Sequence, residues 1–292
     1  MGAALPDKLR YAFTPSGGYK EGTLYSLVPN DNVGNFQVTG TGVRTRVNKD
    51  GLIEVVAENV PRLDYSDGGC PKLLTEVAST NLIPYSEDFS QWITDANRGS
   101  VESGYSSPDG GNNAYKLYNN GESQAYRYIS ITNSSTSDAT ISVYVKDASP
   151  SINGDKGIRL NITNSDFIIF NLDTEEFSNP TPSVSNYGFE YIDGFYRIYA
   201  TFSGISINYL ASIKLLDAYM NNVGSGVYIF GAQIEQQPQA TSYIPTNGST
   251  EQRDEDSVFG AGDSSTFNSE SGVLFFDGSS VNNGDFGNLS IS

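Results

Sequence analysis

Ala139–Asp147 (ATISVYVKD) decides the fold. Successive side chains of a strand point to opposite sides, so Ile141, Val143 and Val145 share one face and Ser142, Tyr144 and Lys146 the other. The surrounding sequence repeats the pattern. Tyr126–Thr132 (YRYISIT) alternates, and Gly157–Thr163 (GIRLNIT) places Ile158, Leu160 and Ile162 together. Phe167–Leu172 (FIIFNL) is an apolar run of the buried-strand type. In Tyr191–Tyr196 (YIDGFY), Asp193-Gly194 stands between apolar flanks, which is a hairpin signal. The strand after it sets Tyr196, Ile198, Ala200 and Phe202 on one face, and Ser212–Met220 and Gly226–Glu235 complete the set. About eight strands separated by turn signals predict an all-β, jelly-roll β-sandwich over residues 76–247.

Outward from the sandwich the pattern weakens. Residues 1–75 mix short apolar pieces with turn signals such as Pro15-Ser16-Gly17-Gly18 and Asp67-Gly68-Gly69. Asp7–Phe13 suits a turn or two of helix and Gly51–Val56 a strand. This region is expected to be an irregular N-terminal arm that buries Leu24, Leu27, Val28, Leu52, Ile53 and Val55 against a partner chain. Residues 248–292 read as a linker followed by a short C-terminal β segment. Glu251–Asp256 (EQRDED) is expected to be solvated, and Ser269–Phe276 (SESGVLFF) to be a strand apolar on both faces. Such a strand must pair with the sandwich, with the same segment of neighbouring chains or with a further distal domain; burial calls only for a partner of some kind, and a homo-oligomer is the expectation taken.

Composition excludes several chemistries. The 292 residues include 34 acidic and 17 basic side chains, a net charge of −17, which argues against a nucleic-acid groove. Histidine is absent, so His-based triads, general bases and metal ligands are excluded. The single cysteine, Cys70, allows no intrachain disulfide and is expected to be a small buried filler. Met1–Phe13 has no apolar signal-peptide core, and no apolar run is long enough for a membrane span, so no membrane insertion is expected.

Several motifs then fall together. Thr80–Trp92 (TNLIPYSEDFSQW) opens the sandwich and Gly226–Thr246 (GVYIFGAQIEQQPQATSYIPT) closes it. Between them stand Ser107-Pro108-Asp109-Gly110, Ala114-Tyr115-Lys116-Leu117, Ser142–Lys146 and Asp193–Phe202. Together with Tyr19–Pro29, Arg44–Glu54 and Asn59–Leu74, this order resembles bacteriophage virion appendage proteins (tail fibres and head fibres) that carry a carbohydrate-binding-module-like jelly roll. The resemblance covers most of residues 19–250. It departs at Phe195, where the family often has Trp, and at Gln236-Gln237-Pro238, where an acidic residue or Gly is usual. It implies a virion location after assembly in a host cytoplasm, other virion proteins as partners, threefold self-association and binding to a host-surface glycan. A capsid-decoration or tail adaptor protein without a ligand is the alternative, and a surface-polysaccharide depolymerase a second one.

The candidate site residues follow from chemistry. Sugars are held by aromatic faces and a few hydrogen-bonding groups, which nominates Trp92, Tyr126, Tyr128 and Tyr144. Tyr126 and Tyr128 lie two apart and share a face, with Tyr144 expected on a neighbouring strand; the competing reading makes these rings core or subunit contacts. Trp92 has the stronger competing reading, as a core plug. Lys146 and Arg197 are expected to be solvated, and Tyr243-Ile244-Pro245 to pin the last strand. No catalytic residue is nominated: glycoside hydrolysis needs two carboxylates facing a sugar, and nothing in the sequence selects a pair. No cofactor is expected; the loop carboxylates suited to a structural Ca²⁺ are Asp88, Asp109 and Asp193.

Overall fold

The computed structural model describes residues 35–93, 98–132, 137–205, 208–216 and 218–260, with the backbone of 19–20 and 23–24. Ahead of the sandwich come β1 (Tyr19–Lys20), β2 (Thr23–Leu24), β3 (Phe36–Thr39), β4 (Arg44–Val47), β5 (Ile53–Val56), β6 (Arg62–Asp64), β7 (Lys72–Leu74) and β8 (Ser79–Asn81). The sandwich consists of β9 (Ser100–Tyr105), β10 (Ala114–Tyr118), β11 (Ala125–Thr132), β12 (Ala139–Asp147), β13 (Gly157–Asn161), β14 (Phe167–Asn171), β15 (Glu176–Ser178), β16 (Val184–Ile192), β17 (Phe195–Phe202), β18 (Asn208–Leu215) and β19 (Gly226–Glu235). A short helix α1 (Ala218–Asn221) precedes β19, and β20 (Glu251–Arg253) and β21 (Ser257–Phe259) follow it. Ser212–Met220, expected as strand throughout, therefore turns helical at Ala218.

Two antiparallel sheets form the sandwich, in the orders β16-β17-β12-β19-β10-β9 and β11-β18-β13-β14-β15. The predicted alternation fills the space between them. Ile141, Val143 and Val145 of β12 meet Ile198, Ala200 and Phe202 of β17 on one side of the core. Ile158 and Leu160 of β13, Ile168 and Phe170 of β14, and Ile213 and Leu215 of β18 come from the other. At about 1.5–3 kcal/mol for each fully buried large aliphatic or aromatic side chain, this core is the main source of stability. The β16–β17 hairpin closes on Asp193 and Gly194, both at positive φ, which gives the strands their matching twist.

A third layer covers the outer face of the six-stranded sheet. Tyr144, Phe195 and Phe230 on that face form a second apolar cluster with Val47 and Ile53 of the β4–β5 hairpin and with Tyr243. The expectation that residues before 75 bury against a partner chain is therefore corrected for Val47, Ile53, Val56 and Leu63, which bury within this chain. Val55 remains exposed, and Leu24, Leu27 and Val28 lie outside the residues whose side chains are described. The expected strand at Ser269–Phe276 and helical turn at Asp7–Phe13 also lie outside the described residues.

A buried ionic clamp fastens this layer. Arg44, Arg62 and Arg253 are among the largest fully buried side chains. Asp256 binds both Arg44 and Arg62 and accepts the Glu76 backbone N–H at 3.0 Å. Glu76 pairs with Arg62 at 2.7 Å and Arg253 at 3.3 Å, and it accepts the Ser242 hydroxyl at 2.6 Å. The charge run Glu251–Asp256 is thus not a solvated linker, because two of its members close this network. Arg197, also expected in solvent, is buried over the Tyr144 ring and donates to the Thr241 carbonyl. Cys70 is corrected in the opposite sense: it lies exposed in the turn before β7.

Candidate functional site

Among the described residues, the sheet face left open is the outer one of β11-β18-β13-β14-β15, where Tyr126, Tyr128, Arg159, Ser212 and Lys214 are only half-buried. The registers lay its side chains out in rows. Tyr126 of β11 stands opposite Lys214 of β18, which stands opposite Arg159 of β13, and Ile169 and Ser178 follow on β14 and β15. The next row is Tyr128, Ser212, Asn161 and Phe167. The β11 pattern explains the arrangement: Ala125, Arg127, Ile129 and Ile131 turn inward, so Tyr126 and Tyr128 turn outward.

The two tyrosine rings are half-buried, with centroids 6.1 Å apart and planes tilted by 32°. Ile93 pairs with Tyr128 through two backbone hydrogen bonds of 2.8 and 3.0 Å, which fixes the free edge of β11. The Arg159 guanidinium lies over the Phe167 ring, 3.6 Å from its centroid. Burial pulls the Lys214 pKa below its ordinary value, and Arg159 and Arg98 nearby add to the shift. The face thus combines π surfaces, hydroxyl groups and positive charge, the complement expected of a site for a polar ring compound, while the Asn161 amide is buried and donates to the Thr163 carbonyl at 3.1 Å.

Tyr126 and Tyr128 are brought together as expected; Trp92 and Tyr144 are not part of this face. Trp92 is 3% exposed, packs on Phe89 at 5.1 Å between centroids and donates its indole N–H to the Tyr85 carbonyl at 2.9 Å. Its role is that of a core plug, and its ring offers no face to a ligand. Tyr144 is 2% exposed, belongs to the other sheet and is sealed under Tyr243 and Phe230. Tyr243 and Ile244 are buried as expected of a pin: the Tyr243 hydroxyl pairs with Ser86 at 2.6 Å, and the Ile244 N–H donates to Gln233 at 2.7 Å.

The three loop carboxylates named for calcium are dispersed. Asp193 sits in the β16–β17 turn. Asp88 caps the single 3₁₀ turn Phe89–Gln91 and accepts the Tyr115 hydroxyl at 2.8 Å. Burial raises the Asp88 pKa, but hydrogen bonds from Ser90 and Tyr115 outweigh it and leave the carboxyl below its ordinary value. Asp109 lies near Glu87, and the Asn113 amide donates to both, at 3.3 and 2.8 Å. Among the described residues no three metal-ligating side chains converge. Burial raises the Glu87 pKa and Asp109 adds to the rise, with hydrogen bonds from Tyr243 and Asn113 opposing.

A second aromatic surface was not foreseen. Tyr187, Phe189 and Tyr191 of the edge strand β16 are 47%, 37% and 60% exposed. They lie on one side of β16, where Tyr187 meets Phe177 of β15, Phe189 meets Phe170 of β14, and Phe189 and Tyr191 meet Tyr196 of β17. The alternation Tyr187-x-Phe189-x-Tyr191 was the available signal, but periodicity alone reads it as core.

No protein-family model matches the chain, and no curated protein does. Among the solved structures similar to it are two with carbohydrate-binding modules. One is the CBM22-1–GH10 modules of Clostridium thermocellum xylanase 10B complexed with xylohexaose: 13% identity, 58% of this chain against 30% of that one, TM-score 0.30. The other is the carbohydrate-binding module TmCBM27, described for specific mannan recognition: 11% identity, 56% of this chain against 98% of that one, TM-score 0.30. The β-sandwich assignment rests on the strands and registers above.

Proposed function

We propose that this chain is a non-catalytic saccharide-binding structural protein whose ligand lies on the outer face of the five-stranded sheet. The observation that carries this reading is the Tyr126–Tyr128 pair on the sheet face left open when the third layer covers the other. The C–H groups of a pyranose pack on such rings, while Ser212, Lys214 and Arg159 supply hydrogen bonds from the same rows. The carboxylates of Glu87 and Asp109 are both engaged by the Asn113 amide, and Glu87 also accepts the Tyr243 hydroxyl, an arrangement suited to holding loops together.

The setting we propose, a bacteriophage tail or head fibre, rests on the sequence resemblance alone. In that setting residues ahead of the β4–β5 hairpin carry attachment to other virion proteins. Self-association has its own support in β16, an edge strand with three exposed aromatic rings; its threefold order comes from the resemblance.

Affinity electrophoresis of the full chain through gels containing neutral or acidic polysaccharides tests the binding role. Retardation by at least one polymer, lost in Tyr126→Ala and Tyr128→Ala variants of unchanged melting temperature, is expected. Retardation by none favours the ligand-free adaptor. Release of reducing ends from a bound polymer overturns the non-catalytic part.

A further inference from the structure

The cations on the open face are anomalous for this molecule. With 34 acidic side chains against 17 basic ones, a lysine has many available carboxylate partners. Most other buried or half-buried cations have found one: Lys156 with Asp147 and Asp173, Arg46 with Glu54, Arg62 and Arg253 with Glu76, Arg197 with Glu190. Among the described residues, Lys214 and Arg159 have not. Each is the other's cross-strand partner, and like charges directly opposite destabilise a sheet. The residues flanking them in the same row are Tyr126 and Ile169, neither able to neutralise them. Among the described residues the buried Arg159 Nε has no acceptor, and its guanidinium carbon lies 3.6 Å from the Phe167 ring centroid. A sheet that tolerates this repulsion gains from it when an anion bridges the pair.

The geometry points to an anionic saccharide as the ligand class. We propose that Lys214 and Arg159 receive a carboxylate or sulfate substituent of a sugar stacked on Tyr126 and Tyr128. This deepens the saccharide-binding reading and rests on it. Strands of a sheet lie about 4.8 Å apart, so the backbone position of Lys214 is one strand from Tyr126 and that of Arg159 two, and an acid group reaching across the sheet from a sugar on the tyrosines meets Lys214 first. Arginine contributes a planar two-toothed donor and lysine a point charge, which together favour an anion over a neutral hydroxyl. The net charge of −17 repels polyanions at long range, so binding of an acidic polymer by this chain requires a local site of this kind.

The test uses the full chain and four polymers: polygalacturonate, dextran sulfate, mannan and xylan. Expected is binding to an acidic polymer that weakens with added salt and falls about tenfold or more in Lys214→Gln and in Arg159→Gln. Lys49→Gln, an exposed cation elsewhere, serves as the charge control and is expected to change nothing. Preference between polygalacturonate and dextran sulfate identifies the acid group. If Arg159→Gln disturbs the Phe167 contact and lowers the melting temperature, Lys214→Gln decides. Binding to mannan or xylan alone, unchanged by both variants, overturns this inference and leaves the saccharide-binding reading standing. An equal loss in Lys49→Gln overturns it as nonspecific charge attraction. Binding to none of the four removes both.

Discussion

Asp256 shows how much one side chain carries. It lies within a stretch whose composition reads as surface, yet it neutralises Arg44 and Arg62 and anchors the backbone of Glu76. Asp256→Asn keeps the shape and removes the charge, leaving two buried guanidinium groups short of a counter-ion. It is expected to destabilise the fold by about 3–5 kcal/mol, read as a shift of the denaturation midpoint. The clamp is also acid-sensitive. Burial raises the Glu76 pKa, but Arg253 and Arg62 outweigh it and bring the net value below the ordinary one. A carboxylate depressed in the folded state contributes stability that is whole above the unfolded value of about 4.3, and that contribution is lost as pH falls through the folded value. A pH series of melting temperatures is expected to show this loss below about pH 4, and Glu76→Gln to flatten it.

The decisive element is β19. Val227 and Ile229 face the core before Gly231, and Ala232 and Ile234 face it afterwards, so the inward set changes from odd to even positions. The β12–β19 register shifts between Ser142 and Tyr144 to match, which marks a β-bulge. Gly231 has φ +57°, and a Cβ there would stand 3.0 Å from the Tyr144 ring and 3.2 Å from Tyr243. Both the left-handed backbone and this closeness require glycine. Gly231→Ala is expected to cost about 1–3 kcal/mol and to loosen Tyr243, seen as faster amide exchange at Ile244. The bulge could not be read from GVYIFGAQIE, because an unbroken apolar run shows no change of parity.

At the scale of the molecule, the third layer determines which sheet face is open. Removing residues 1–75 takes away Arg44, Arg62, Val47 and Ile53 together. Tyr144, Phe230 and Tyr243 lose their cover, and Asp256 loses both guanidinium partners. An arm docked only on a partner chain would leave the sandwich intact after this deletion; a layer packed on the sheet does not. The truncated chain is expected to melt well below the full chain and to bind a hydrophobic dye, with no loss of the Tyr126–Tyr128 face if refolded material can be isolated. A truncated chain with the full melting temperature would show that the layer adds nothing to stability.

Alternation, turn chemistry and composition determined the sandwich by themselves. Ile141, Val143 and Val145 could only face a core, Asp193-Gly194 could only turn, and Tyr126 and Tyr128 had to share a face, since each of these is a local property of the chain. The absence of histidine and the scarcity of cysteine bounded the chemistry in the same way. What lay beyond the sequence were the long-range pairings: Arg44 with Asp256, Lys214 opposite Arg159, Tyr144 beneath Tyr243. Burial of a charge or a ring depends on residues distant in sequence. A tyrosine on a strand's second face is core or platform according to whether another layer lies over it, and only the tertiary structure supplies that layer.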